Sequence, residues 1–231
     1  MGQGAYGSVF QACLKSAPDQ YVVLKVFSNR VTKKAVIAEA TIQLYLEDTR
    51  VVPKMHGVIF PGGGGGAYAM VQEYCADGQT LADALEENRL SEHQWVCVCR
   101  QLTSALWTIH QREVIHNDLK TDNVLLEGPR SDGYMSIFII DLGLATYKSG
   151  RTYTIREEGK CTFLAPEIRL GQPTAIASDM YSLGYIMKKI CETGAPCLTD
   201  LAARCMSEDP ASRLNTARVF SQMGDFGWEI F

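Results

Sequence analysis

The apolar pattern of this chain changes character once, and that change limits its fold more than any other feature of the sequence. Up to about Tyr74, short apolar runs alternate with turn residues, whereas beyond Leu81 apolar residues recur at helical spacing. Ser8 to Leu14 and Tyr21 to Phe27 are rich in Val, Phe and Leu and read as a hairpin turning at Ser16-Ala17-Pro18-Asp19. Lys33 to Glu47 places Val36, Ile37, Ala40, Leu44 and Tyr45 near helical spacing opposite a charged face, so one helix interrupts the strands. Strands resume at Lys54 to Phe60 and Ala67 to Tyr74, joined by Pro61 and the glycines Gly62 to Gly66, which read as a flexible connector. Helices follow at Leu81 to Asn88, Ser91 to Gln111, Ala177 to Cys191, Leu198 to Met206 and Thr216 to Met223. The polar turn Cys75-Ala76-Asp77-Gly78 divides the two parts and suits a hinge beside a ligand cleft.

Composition narrows the function classes. Among 231 residues, 46% are apolar and 21% charged, which describes a folded globular chain and not a disordered or fibrous one. A formal net charge of −4 gives no global attraction to polyanions, so no nucleic-acid partner is expected. No apolar run approaches the roughly 20 residues of a membrane helix, and the N-terminus lacks a charged-then-apolar leader pattern. No membrane partner is expected, and the protein should be intracellular, cytoplasmic or nuclear. Nothing predicts an oligomer, so a monomer is expected. The eight cysteines lack C-x-x-C spacing, and Cys97 and Cys99 point to different sides of a helix. Reduced thiols, not a zinc site, are expected.

Several segments carry chemistry. Gly2-Gln3-Gly4-Ala5-Tyr6-Gly7-Ser8-Val9 fits G-x-G-x-x-G-x-V, in which Gly2, Gly4 and Gly7 let backbone N–H groups approach phosphate. A strand follows it, which argues against a dinucleotide fold. Lys25 ends the apolar run Val22-Val23-Leu24, where a buried ammonium needs a partner. Glu39 on the following helix is the candidate, holding Lys25 against α- and β-phosphates. His116-Asn117-Asp118-Leu119-Lys120-Thr121-Asp122-Asn123 lies between a helix and the apolar Val124-Leu125-Leu126. There Asp118 can accept a proton from an attacking hydroxyl, Lys120 can neutralise a transferring phosphoryl group, and Asn123 can offer a neutral oxygen to Mg²⁺. The strand Ile137 to Ile140 then delivers Asp141-Leu142-Gly143, with Asp141 as the principal magnesium ligand.

With Ala165-Pro166-Glu167, Asp179-Met180-Tyr181-Ser182-Leu183-Gly184, and Asp209-Pro210 with Arg213, these motifs in this order resemble the eukaryotic protein kinase family over nearly the whole chain. Lys120, two residues after Asp118, resembles its Ser/Thr branch. The resemblance implies an α+β, two-lobed fold: a small β-rich lobe with one helix over residues 1–73, a hinge at 74–78, and a larger, mainly helical lobe over 79–231. It implies ATP and Mg²⁺ in the cleft and transfer of the γ-phosphate to Ser/Thr of a protein substrate. Gln72 would guard the back of the ATP pocket, Glu73 and Cys75 would offer backbone hydrogen bonds to adenine, and Val9, Val23 and Leu125 would sandwich the ring. Glu167 would pair with Arg213, and Asp179 would brace the catalytic loop.

The chain departs from the family pattern at several places. Asn117 replaces the arginine that ordinarily receives a phosphorylated activation segment, which argues against activation by that route. Thr152, Tyr153 and Thr154 are nonetheless candidate phosphorylation positions. Leu142 replaces phenylalanine, and Gln43 stands where an apolar residue is expected, predicting a local irregularity of the helix. Lys160 takes the place of a threonine that contacts Asp118 and Lys120, and Thr162 substitutes only if the loop is rearranged. Starting at Met1, directly before Gly2, the first strand should be short and the roof of the ATP site thin. The short Ile190 to Leu198 connection predicts reduction of a helix that many members use for docking. A second reading is therefore a nucleotide- or partner-binding module without transfer. A third, a small-molecule kinase, is opposed by Ala165-Pro166-Glu167.

Overall fold

The first strands form where the alternation places them, but the chain turns before Pro18. In the computed structural model, which describes residues 2–4, 6–62, 66–128, 135–152 and 162–224, β1 (Gly2–Gly4), β2 (Gly7–Leu14) and β3 (Ala17–Phe27) are antiparallel, with Leu14 opposite Ala17. Lys15 and Ser16 alone make the reversal, because a two-residue loop matches the twist of paired strands. Pro18, Asp19 and Gln20 fall out of register before Tyr21 pairs with Cys13, and an irregularity tolerates a residue without an N–H. With β4 (Met55–Ile59) and β5 (Ala69–Glu73) the strands form one sheet of order β1-β2-β3-β5-β4. Gly63, Gly64 and Gly65 of the connector lie outside the described residues.

Helix α1 (Lys33–Leu46) is capped by Thr32, whose hydroxyl accepts from the Ala35 N–H. It buries a different face from the one its apolar residues mark. Val36, Glu39, Ala40, Gln43 and Leu46 are buried, while Ile37, Leu44 and Tyr45 are exposed. The helix also runs unbroken through Gln43, contrary to the expected irregularity. Two polar side chains are drawn inward because polar partners wait there, and burial follows those partners rather than hydropathy. Val36 and Ala40 join Phe27, Met55 and Met70 in a small core against the sheet.

The larger core belongs to the helical part. Helices α2 (Leu81–Glu87) and α3 (Glu92–Gln111) begin with reciprocal capping boxes, Thr80 with Asp83 and Ser91 with Gln94. Along α3, Trp95, Val98, Leu102, Leu106 and Ile109 recur at helical spacing and are fully buried. They share one core with Leu183, Ile186 and Ile190 of α5 (Ile176–Thr193). Three short elements escaped the sequence pattern: α4 (Pro166–Arg169) and the two-residue strands β6 (Val114–Ile115) and β9 (Thr146–Tyr147), which pair with each other. Strands β7 (Val124–Glu127) and β8 (Ser136–Ile139) form a second ribbon. The fold is α+β, with a sheet-rich N-terminal part and a helical C-terminal part. Among the described residues no helix is long and apolar enough to cross a membrane.

Only residues 194–198 separate α5 from α6 (Thr199–Cys205), with α7 (Thr216–Gly224) beyond. The connection passes so close to α3 that a Cβ on Gly194 would stand 2.9 Å from the Trp95 ring. At the other end of α5, Arg213 grips Glu167 with both terminal guanidinium nitrogens, at 2.6 and 2.7 Å, and also donates to the carbonyls of Ala177 and Ser207. Although partial burial pushes the Glu167 carboxyl up, hydrogen bonds from Arg213 outweigh it and hold the group below its ordinary value. A depressed carboxyl contributes stability above the unfolded value of 4.5 and loses it as pH falls through the lower folded value. Glu167→Gln should therefore cost about 2 kcal/mol at neutral pH, the low side for a pair with one carboxylate edge near solvent. Urea denaturation should show this gap from wild type shrinking as pH drops below 4.5.

Candidate active site

A cavity of about 270 Å³ opens between the sheet and the helical part. Val9 of β2, Val23 of β3, Leu125 of β7, Gln72, Glu73 and Cys75 line it. Lys25, Glu39, Asn123 and Asp141 line the polar end. Gly78, from the expected hinge turn, completes the lining with Pro53, Thr80 and Ile140, which were missed in the sequence. Of these, only Thr80 carried a readable signal, the T-x-x-D start of α2. Gly2, Gly4 and Gly7 stand in the β1–β2 hairpin. Gly7 has its own local reason: at φ +156°, a Cβ there would lie 2.1 Å from the Val26 carbonyl oxygen.

Lys25 is the meeting point of three segments. Its Nζ lies 2.6 Å from Glu39 Oε1 on α1 and 2.8 Å from Asp141 Oδ1 just past β8. Burial would lower the Lys25 pKa, but Glu39 and Asp141 together raise it above the ordinary value. Asp141 is likewise held low by Lys25 against the upward push of burial. Glu39 gains less: burial pushes its carboxyl up further than a lysine shared with Asp141 pulls it down. Gly143 makes room for this arrangement, since a Cβ there would sit 3.0 Å from Glu39 Oε2.

The second cluster is the loop after β6. Lys120 Nζ donates to Asp118 Oδ2 at 2.9 Å, and Asn123 Nδ2 donates to the same oxygen at 3.0 Å and to the Asp118 carbonyl at 2.8 Å. Because the Asn123 amide spends its nitrogen on Asp118, its Oδ1 is left as an acceptor in a residue that lines the cavity. Asp141 keeps Oδ2, so one amide and one carboxylate oxygen fit a hard cation such as Mg²⁺. His116 ties the clusters together: its Nδ1 accepts from the Asp118 N–H at 3.3 Å, which puts the ring proton on Nε2, 3.1 Å from the Ile140 carbonyl.

Asp179 of α5 supports this loop from the core. It is 1% exposed and accepts from the His110 ring at 3.0 Å, the His116 N–H at 2.8 Å and the Asn117 N–H at 2.9 Å. Burial alone would raise its pKa, but the donors from His110 and His116 hold it below the ordinary value. Asn117 is buried at φ +70°, a left-handed conformation that asparagine tolerates. Its Nδ2 donates to the Leu144 carbonyl at 2.9 Å and to Thr146 Oγ1 at 3.1 Å. Leu142 is buried in the main core. The Thr162 hydroxyl donates to Tyr185 at 3.0 Å, and Lys120 lies 5.7 Å from the Phe163 ring centre. Lys160, Tyr153 and Thr154 lie outside the described residues.

The comparisons agree with this geometry. The family model of the protein kinase domain matches residues 1–201. Serine/threonine-protein kinase 33 from Bos taurus is 26% identical over 205 residues, covering 81% of this chain and 40% of that protein. Serine/threonine-protein kinase PAK 1 from Mus musculus is 28% identical over 212 residues, covering 89% of this chain and 36% of that protein. The chain thus spans well under half the length of these relatives. Sequence, fold and family model together place this chain in the protein kinase family.

Proposed function

We propose that this protein is an active kinase that transfers the γ-phosphate of ATP to Ser/Thr hydroxyls of protein substrates. The observation that carries this reading is that Lys25, Glu39, Asp141 and Asn123 line one cavity, while Asn123 and Lys120 both donate to the Asp118 carboxylate. The small lobe is residues 1–73, the hinge 74–78 and the large lobe 79–231. In this reading adenine lies between Val9, Val23 and Leu125, against the hinge backbone at Glu73 and Cys75 and with Gln72 behind it. Lys25, fixed by Glu39, positions the α- and β-phosphates under the turn of Gly2, Gly4 and Gly7.

Asn123 and Asp141 would hold Mg²⁺, which supplies charge neutralisation on the phosphates when bound. Asp118 orients the acceptor hydroxyl and takes its proton, and Lys120 neutralises the group in transit. The protein's work is positioning and electrostatic stabilisation, with no covalent intermediate on the chain. Asn117 lends specific support to a further feature of this reading: the segment after Asp141 is anchored by neutral hydrogen bonds to Leu144 and Thr146, not by a phosphate-binding arginine. Activity then does not depend on phosphorylation at Thr152.

Mg²⁺-dependent transfer from radiolabelled ATP to a generic protein substrate tests the central claim. Asp118→Asn should lower the rate by about 100-fold or more, and Asp141→Ala should abolish it. A folded wild type that binds nucleotide without transfer would favour the binding-module reading. Thr152→Ala should leave the rate unchanged. Asn117→Ala loses two hydrogen bonds and places alanine in a left-handed conformation, so it should cost about 2 kcal/mol in urea unfolding. It should also speed amide exchange at Thr146 and Tyr147.

A further inference from the structure

One turn of α1 after Glu39, Gln43 is 2% exposed, in a position where a nonpolar side chain would meet no desolvation cost. Its Nε2 donates to the Pro53 carbonyl at 2.8 Å, and its Oε1 accepts from Gln72 Nε2. The polarity of this relay is fixed at one end. A carbonyl can only accept, so Gln43 must turn its nitrogen to Pro53 and its oxygen to Gln72, and Gln72 must answer with its own nitrogen. Gln72 lines the cavity; Gln43 does not.

We propose that Gln43 is a positioning residue: its amide relay to Gln72 latches α1 onto β5 and so keeps Glu39 on Lys25. This inference rests on the reading of the cavity as a nucleotide site. Glu39 and Gln43 lie on the same face of one rigid helix, so fixing Gln43 against β5 fixes the depth at which Glu39 enters. The latch also accounts for the face that α1 buries. Glu39 is drawn in by Lys25 and Gln43 by Gln72 and Pro53, and Ile37 and Leu44 are left outside. Apolar packing at this position would tolerate sliding of the helix, whereas two directional hydrogen bonds in series do not.

A double-mutant cycle on the full chain tests the proposal, using Gln43→Met, Gln72→Met and the pair together. Methionine is of similar length and cannot donate, so each single variant strands a buried amide while the double variant removes both. Two quantities are read: amide exchange across α1 in the nucleotide-free protein, and affinity for Mg²⁺-ATP. Each single variant should weaken ATP binding about tenfold and speed exchange in α1, and the double variant, which also lacks the latch, should stay near the level of Gln43→Met and lose no more. Independent losses at each site would add instead, and additive losses, a double variant restored to wild type, or a Gln43→Met protein indistinguishable from wild type overturn the proposal. The exchange measurement needs no nucleotide, so it decides the matter even where the wild-type chain binds none. That last result would count against the nucleotide reading alone.

Discussion

An ammonium group taken out of water must be met by negative charge, and the arrangement of this protein follows from how Lys25 meets that demand. Its two carboxylate partners come from segments far apart in the chain, one on α1 and one beyond β8. Joining them brings the sheet, the lone helix of the N-terminal part and the loop at Asp141 to one point. The cost of desolvation falls mainly on Glu39, whose carboxyl is raised by burial, while Asp141 keeps its charge. The stabilisation available from such a pair is small; its value is that the three segments have one mutual geometry in which no charge is stranded.

A second buried charge does the same for the helical part. Asp179 receives three donors, two of them backbone N–H groups of the loop that presents Asp118. The loop is therefore held by its main chain from the core, and Asn123 near its end lines the cavity. His116 links the two systems by joining the Asp118 N–H to the carbonyl of Ile140, the residue before Asp141. The carboxylates of the candidate site are fixed by one another's cationic and amide partners, and the backbone of Asp118 by His116 outside it.

The sequence disclosed what depends on local order and withheld what depends on distant partners. The division into strands and helices, the loop from His116 to Asn123 and the acid after the strand at Ile140 were all readable because they are contiguous. The face of α1 was not. Ile37, Leu44 and Tyr45 look like core by hydropathy, yet Glu39 and Gln43 are buried because Lys25, Pro53 and Gln72 lie opposite them. The hairpin turn was misplaced for a related reason: Pro18 and Asp19 have turn chemistry, but the pairing of Leu14 with Ala17 closes the loop before them. The β6–β9 pair was invisible, since two residues per strand carry no period and only their partner defines them.

The tether at Asn117 differs from the exposed ion pair that flanks it. Lys148 and Glu113 lie 3.1 Å apart with both side chains more than half exposed, and mobile ions screen exposed charges over roughly 8 Å at physiological ionic strength. The Asn117 amide carries no net charge and is buried, so counterions have nothing to neutralise and no path to it. Raising the salt concentration therefore loosens the outer fastening of this segment while leaving the inner one intact. The start of the segment is held by a contact that is indifferent to the ionic composition of its surroundings.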